Sequence, residues 1–367
     1  MSVPLFATKP VLEPLLEEVA ERQAAVIRSG RYILGPEVEA FEAEFAAALG
    51  ARHCVGVANG TDALTIALRA LGVRRGDEVV VPALTFYATA EAVVNAGAKP
   101  VFCDVDPDTF TVTAATVEPA LTSRTRAVVP VHLYGNPAPM RELRELAAAR
   151  GLRLLEDAAQ AAGARLDGEA AGHLGDAATF SFFPSKNLGG FGDGGAIVTD
   201  DDETAQAARL LRFHGSGGTE EHTAVGYNSR LDELQAAGLR VLLPHLPDWT
   251  RARRRVAAAY AERGLGDAVR LPVETAGAES CYHLYVVRSQ ERDRLAERLT
   301  AAGVGARAYY STPLHLQPAM REFAPDGPLP GVEGAAAESL ALPMGPALSE
   351  EQVAEVVDAA VGAAARS

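Results

Sequence analysis

The sequence predicts an α/β protein, with a largely parallel sheet in a large domain and a smaller α+β domain after it. Three observations carry this. Apolar runs of strand length alternate with segments of helical periodicity through the first two thirds of the chain, which is the pattern of a parallel sheet with crossover helices. After about Pro244 the pattern changes to long Arg- and Ala-rich helices around one strand. The 367 residues also exceed the commonest single-domain length, so two domains are expected, residues 1–245 and 246–367.

Each element has its own signal. Val11 to Ser29 and Val38 to Leu49 space their apolar residues as helices do, and Gly50 ends the second. His53 to Ala58 reads as a strand, followed by a helix from Thr61 to Leu71 closed by Gly72. Strand Glu78 to Val81, helix Phe86 to Ala96 ended by Gly97, and strand Pro100 to Asp104 come next. Arg126 to Val131 is a strand, Met140 to Arg150 a helix ended by Gly151, and Arg153 to Asp157 a strand. Thr179 to Phe183 and Ala196 to Thr199 complete the sheet. Beyond Pro244, helices Asp248 to Arg263 and Arg292 to Ala302 flank a strand, Tyr282 to Arg288. A further strand is expected over Gly305 to Tyr310, and a loop over the Pro/Gly-rich stretch Pro325 to Gly334.

Composition excludes some functions. Hydrophobic residues make up 48% of the chain, enough for a sizeable core. A net charge of −14 argues against nucleic-acid binding, whose affinity comes from neutralising phosphates with Lys and Arg. An anionic substrate therefore needs a local cationic pocket. Cys54, Cys103 and Cys281 lie far apart in apolar stretches, without a CxxC pair, and read as buried, reduced thiols. The first ten residues show no cationic segment followed by an apolar one, and no run of about 18 apolar residues occurs anywhere, so a cytoplasmic protein is expected. Of 34 lysines and arginines only Lys9, Lys99 and Lys186 are lysine. A lysine retained against such a bias points to a need for an amine, which arginine cannot supply.

Parallel sheets bind ligands at the carboxyl ends of their strands, so the loops there matter most. After strand His53 to Ala58 comes Asn59-Gly60-Thr61-Asp62, opening a helix whose free N–H groups suit a phosphate. Strand Arg153 to Asp157 ends in Glu156-Asp157-Ala158-Ala159-Gln160. An acid at a buried strand end needs a cation or good hydrogen bonds, and a protonated pyridine nitrogen is a suitable partner. Lys186 follows an apolar strand and precedes a glycine-dense loop, where desolvation favours a neutral amine. That loop contains a formal GxGxxG match, Gly190, Gly192 and Gly195, but the glycines lead into a strand and not a helix, so no dinucleotide site is expected. Each motif alone has a plainer reading: a capped helix start, a salt-bridged aspartate, a surface lysine. Together, in this order, they match the layout of fold type I enzymes that use pyridoxal phosphate.

The resemblance is broader than that order. The strings NGTDAL, GDEVVVPALTFYATAEAV, VFCDVDPDTF, VVPVHLYG, LEDAAQAAGA, FSFFPSKNLGGFGDGGAIVT, GYNSRLDELQAA and YYSTPLHLQPAM closely resemble the DegT/DnrJ/StrS family of nucleotide-sugar aminotransferases, from about Arg31 to Pro346. The resemblance implies the type I aminotransferase fold and pyridoxal 5′-phosphate held on Lys186, which also shuttles the proton. It implies that Asp157 pairs with the pyridine nitrogen, Phe86 stacks on the ring and Gln160 binds near the ring hydroxyl. Gly60, Thr61 and Ser181 would hold the phosphate. Asn228 would reach the phosphate of a neighbouring subunit, which makes a homodimer with shared sites. Arg230 is a candidate cation for the sugar diphosphate, with a helix-start salt bridge to Asp232 or Glu233 as the alternative. His132, Tyr309, Tyr310 and His315 are weaker substrate-pocket candidates. Relatives often read HYPTPLH where this chain reads Tyr309-Tyr310-Ser311-Thr312-Pro313-Leu314-His315.

The implied reaction is transfer of an amine, with L-glutamate as donor, to a nucleotide-linked keto sugar. The string NSRLDELQAA resembles members acting at carbon 3 of a hexose more than those acting at carbon 4. The alternatives are a 4-keto substrate, a sugar dehydratase, a cysteine desulfurase or a non-catalytic regulator on the same fold. Related dehydratases replace the lysine with histidine, and none of the three cysteines looks placed on an exposed reactive loop.

Overall fold

Seven strands form the central sheet of the computed structural model, which describes residues 2–218 and 220–362. They are β1 (His53–Val57), β2 (Glu78–Pro82), β3 (Lys99–Cys103), β4 (Thr125–Val128), β5 (Arg153–Asp157), β6 (Ala177–Ser181) and β7 (Gly195–Thr199). Their spatial order is β1-β7-β6-β5-β4-β2-β3. β7 runs antiparallel to both neighbours, and the other pairings are parallel. β2 and β7 are buried at every position, which is why they read as continuous apolar runs rather than alternating ones. The parallel strands send their carboxyl ends to one edge, so the segments bearing Gly60, Phe86, His132, Asp157 and Lys186 all leave the sheet there.

Helices cover both faces. On one, Gly60–Ala70 buries Leu64, Ile66 and Leu68 in a cluster with Val79, Val80 and Val81. On the other, Pro36–Leu49 packs Phe41 and Phe45 edge-to-face against Phe182 and Phe180 beneath β6, the strand that leads to Lys186. Contacts of this geometry are worth about 0.5–1.5 kcal/mol each beyond area burial, so the strand carrying the lysine is firmly seated. All three cysteine thiols are free and buried.

The C-terminal α+β unit is built on β8 (Tyr285–Arg288), antiparallel to β9 (Ser339–Leu342). Helices Leu246–Glu262, Arg292–Ala301 and Glu350–Val361 enclose a core that includes Tyr260, Tyr285, Leu299 and Val356. Val3 belongs to that core too, bridged to Val304, so the amino-terminal segment packs on the C-terminal unit. No helix among the described residues is long and apolar enough to cross a membrane.

Several expectations need correction. Gly305 to Tyr310 is not a strand; only Arg307 bridges Ala341, and the chain then turns away to line a cavity. Pro325 to Gly334 is not all loop, because a helix runs from Pro330 to Glu338. Its first N–H groups are capped from far away, Gly331 and Val332 donating to the Asp104 carboxylate at 3.0 and 2.8 Å, a partner that local sequence cannot announce. The strand expected from Tyr282 begins only at Tyr285, since Tyr282 takes a left-handed φ of 45° where the chain crosses Gly135. Pro14, which has no N–H to donate, splits the first expected helix into Lys9–Leu12, a 3-10 turn Glu13–Leu15 and Leu16–Ser29. Phe86 and Tyr87 precede their helix, Ala88–Asn95.

Candidate active site

A cavity of about 690 Å³ opens at the carboxyl edge of the sheet. Asp157 lies at its base, at the end of β5, and is buried. The Thr89 hydroxyl donates to its Oδ2 at 2.8 Å, and the Ala159 N–H to its Oδ1 at 3.2 Å. Burial pushes its pKa up, while Thr89, Ala159 and the charges of Lys186 and His132 work against that. Among the described residues no side-chain cation lies within ion-pair distance of Asp157. A buried carboxylate in this state favours a cationic group placed against it.

The neighbouring strand-end residue, Glu156, is fully buried and faces away from the cavity toward structural partners. It accepts from His132 Nε2 at 2.7 Å and from the N–H groups of Gly172, Leu174 and Gly175 at 2.6–2.8 Å. His132 Nδ1 in turn accepts the Ala138 N–H at 3.0 Å, so Nε2 carries the proton. His132 is thus a buried structural residue and not a wall of the cavity.

At the end of β1, Asn59 caps helix Gly60–Ala70 by accepting the Asp62 N–H at 2.8 Å. The N–H groups of Gly60 and Thr61 have no partner among the described residues and face the cavity together with Ser181. A Cβ at Gly60 would sit 2.9 Å from the Ser181 Cβ, so a side chain there would close the gap between helix and β6. Free N–H groups, a hydroxyl and the positive end of the helix form an anion cradle.

Lys186 follows β6, its N–H held by the Phe183 carbonyl at 2.8 Å. Desolvation of its amine in the cavity lowers the pKa to about 8, against the pull of Asp157. Next to it, Asn187 donates to the Cys281 carbonyl at 3.0 Å and pairs with His283 at 3.2 Å. His283 and Asn187 were not anticipated from sequence.

Phe86 presents an open ring to the cavity, 56% exposed, 6.1 Å from Tyr310. Gln160 Oε1 accepts the Tyr134 N–H at 2.7 Å, and its Nε2 lies 3.3 Å from the Tyr310 hydroxyl. Tyr134, at φ 60°, donates its own hydroxyl to the Tyr309 carbonyl. Tyr309 and Tyr310 both line the cavity, as expected, and so does Arg307, whose guanidinium lies 5.2 Å over the Tyr309 ring. His315 does not; it is buried beside Phe102, and its neighbours Leu314 and Gln317 face the cavity instead. Asn228 and Arg230 also lie off this chain's cavity. Arg230 hydrogen-bonds Asn228 and stacks 5.3 Å over Phe213, and neither Asp232 nor Glu233 pairs with it.

These residues fit pyridoxal phosphate. Gly60, Thr61 and Ser181 would hold its phosphate, Phe86 its ring face, and Gln160 its hydroxyl side. Asp157 would hold its pyridine nitrogen and Lys186 its reactive carbon. When bound, the cofactor supplies an electron sink that weakens the C–H bond beside a donor amine. The chain's own residues desolvate Lys186, hydrogen-bond the Asp157 carboxyl through Thr89 and Ala159, and wall the site with aromatic rings.

A pleiotropic regulatory protein of Geobacillus stearothermophilus is 48% identical over 98% of this chain and 97% of its own. The dTDP-3-amino-3,4,6-trideoxy-alpha-D-glucose transaminase of Streptomyces venezuelae is 48% identical over 97% of this chain and 95% of its own. The solved structure of S. venezuelae DesV in complex with a ketimine intermediate superposes with a TM-score of 0.96 at 47% identity, covering 100% of this chain and 99% of that one. The family's cofactor is pyridoxal phosphate, and solved neighbours hold its pyridoxamine form. Residues 15–361 match the family model, and the chain belongs to the DegT/DnrJ/EryC1/StrS aminotransferase family, as a pyridoxal-phosphate-dependent transaminase.

Proposed function

We propose that this transaminase moves an amine from L-glutamate to a nucleotide-linked 3-keto hexose. The observation that carries the reading is the meeting, in one cavity, of the desolvated Lys186 amine, the buried Asp157 carboxylate and the free N–H groups of Gly60 and Thr61. The first two make a proton-transfer site and the third an anchor for the cofactor phosphate.

The sugar enters from the other wall. Tyr309, Tyr310, Ser311, Thr312 and Gln317 offer hydroxyl and amide groups of the kind that recognise sugar hydroxyls. Similar proteins are named for amination at carbon 3, on dTDP- and UDP-linked sugars. Asn228 and Arg230 complete the proposal from a second copy of the chain. Asn228 is exposed and both stand off this chain's own cavity, which suits residues that act on a facing subunit.

A panel of nucleotide-linked 3-keto and 4-keto hexoses, each incubated with glutamate, tests this directly. Mass spectrometry should find the amino sugar from a 3-keto substrate with equimolar 2-oxoglutarate. Product from 4-keto sugars alone would overturn the carbon-3 assignment, and absence of product from every sugar would overturn the substrate class.

A further inference from the structure

A net charge of −14 leaves an anionic substrate in need of a local cation, and the lysines and arginines that line the cavity are Lys186 and Arg307. Lys186 serves the cofactor's reactive carbon. Arg307 belongs to the wall that the C-terminal unit contributes. Its backbone is fixed: its N–H donates to the Ala341 carbonyl of β9 at 3.2 Å, and the Ala341 N–H donates back at 2.8 Å. Its side chain is uncommitted. Among the described residues the guanidinium makes no hydrogen bond and no ion pair, and it lies 5.2 Å over the Tyr309 ring. Other arginines of the same unit are engaged: Arg254 pairs with Glu279, Arg270 with Asp108 and Arg288 with Glu338. Asp157 and Asp193 line the cavity as well, and neither pairs with Arg307.

A run of rings locates the guanidinium. Phe86, the ring that would lie on the cofactor, stands 6.1 Å from Tyr310, Tyr310 stands 5.5 Å from Tyr309, and Arg307 lies over Tyr309. Two aromatic rings thus stand between the guanidinium and the cofactor wall, and Arg307 is exposed to solvent. An amino-acid donor carries its α-carboxylate on the reacting carbon itself, which suits a site beside the cofactor rather than one two rings away. A hexose with its keto group at carbon 3 carries its first phosphorus further out, with carbon 2, carbon 1 and an oxygen between, and the nucleoside beyond. The diphosphate is therefore the anionic part of such a substrate that extends toward solvent. A guanidinium offers paired N–H donors that match phosphate oxygens, and the Tyr309 face holds it in one orientation.

We propose that Arg307 binds the diphosphate of the nucleotide-linked sugar, from the same chain that carries Lys186, and so sets the preference for a diphosphate-linked substrate. Its role is binding; no bond changes at Arg307 and no proton passes through it. The inference rests on a nucleotide-linked sugar as substrate and is indifferent to which carbon is aminated. It is separate from Arg230, which stands off this chain's cavity and would act from a facing subunit. The side-chain carboxylate of glutamate is the other anionic group within a guanidinium's chemistry, and the two half-reactions tell the sources apart.

The test uses the holoenzyme in its pyridoxamine form, with UDP and dTDP as probes in calorimetry. The wild type comes first: if it binds neither nucleotide, the nucleotide-sugar reading itself fails. In Arg307→Ala, with the cofactor band intact, the affinity for the nucleotide that the wild type binds should fall about tenfold or more. The salt dependence of what remains should flatten, because a charge has gone from the site. Arg307→Lys keeps the charge without the paired donors and should recover part of the loss. In turnover, KM for the keto sugar should rise with kcat little changed. The glutamate half-reaction, followed at the cofactor band in single turnover, should stay within about twofold of wild type. Wild-type nucleotide affinity in a folded Arg307→Ala protein, or a glutamate half-reaction weakened as much as the sugar one, would overturn the proposal.

Discussion

The Thr89 hydroxyl donates to Asp157 Oδ2 at 2.8 Å, and its own oxygen lies 3.0 Å from the Thr85 hydroxyl. Thr85, in the segment before helix Ala88–Asn95, and Thr89, in its first turn, thus feed hydrogen bonds toward the one carboxylate at the base of the cavity. Hydrogen bonds to a charged group are worth about 1.5–3 kcal/mol.

Thr89→Val is therefore expected to lower kcat about tenfold or more, roughly 1.4 kcal/mol or above. Asp157→Asn removes the charge itself and is expected to cost on the order of a hundredfold or more. Single-turnover reduction of the cofactor band by an amino donor measures both. Near-normal turnover in Asp157→Asn would mean that the pyridine partner lies elsewhere.

Lys186 gives a pH prediction with a definite sign. Its amine titrates at about 8 because desolvation opposes the charged form. In the pyridoxamine form the lysine must be neutral to take up a proton, so that half-reaction run towards the pyridoxal form should speed up as pH rises through about 8 and then level off. Stability carries the same sign. In the cofactor-free protein the unfolded lysine, near 10.4, binds the extra proton across the window from about 8 to 10.4. Stability should therefore rise with pH over that window. Lys186→Met should flatten the rise in denaturant titrations, and an unchanged slope would contradict the lowered amine.

Glu156 makes a prediction about stability rather than chemistry. Its buried carboxylate takes four donors, three of them backbone N–H groups of the segment before β6. Glu156→Gln removes the charge and turns an NH₂ toward donors. Removing one partner from a buried charged network costs about 3–5 kcal/mol. A lower Tm is expected, together with weaker cofactor retention, because Asp157 rides on the same strand. A melting curve equal to wild type would mean the network relaxes freely.

How much of this was legible in sequence follows a physical line. Gly60, Asp157 and Lys186 could be found because each sits in a short string whose local chemistry declares it: an open helix start, an acid ending an apolar strand, a lysine before glycines. The strands could be found because burial on both faces leaves long apolar runs. Thr89, Asn187 and His283 could not, since their roles arise from partners 68, 94 and 96 positions away. His132 and His315 looked like site residues only because histidine is chemically versatile. Folding buries them, one against Glu156 and one beside Phe102. The helix Pro330–Glu338 was hidden by its Pro and Gly content and is started by a carboxylate, Asp104, from another part of the fold.

The proposed sharing of the site between two subunits gives the last prediction. Asn228 and Arg230 precede helix Glu233–Leu242 and hydrogen-bond each other away from their own chain's cavity. A two-fold dimer presents one patch twice, so each such segment can complete the site facing it. Lys186→Ala and Arg230→Ala should each be inactive alone. If the site is composite, a mixed dimer concentrates both defects in one site and leaves the other intact. With random equal mixing half the dimers are mixed and each keeps one working site of two, so activity should recover toward about a quarter of wild type. The measurement is turnover after co-refolding two differently tagged variants, first of the whole mixture and then of the isolated doubly tagged dimers, in which about half of wild-type activity is expected. Those dimers staying inactive would place Arg230 in its own subunit's site or outside the site altogether.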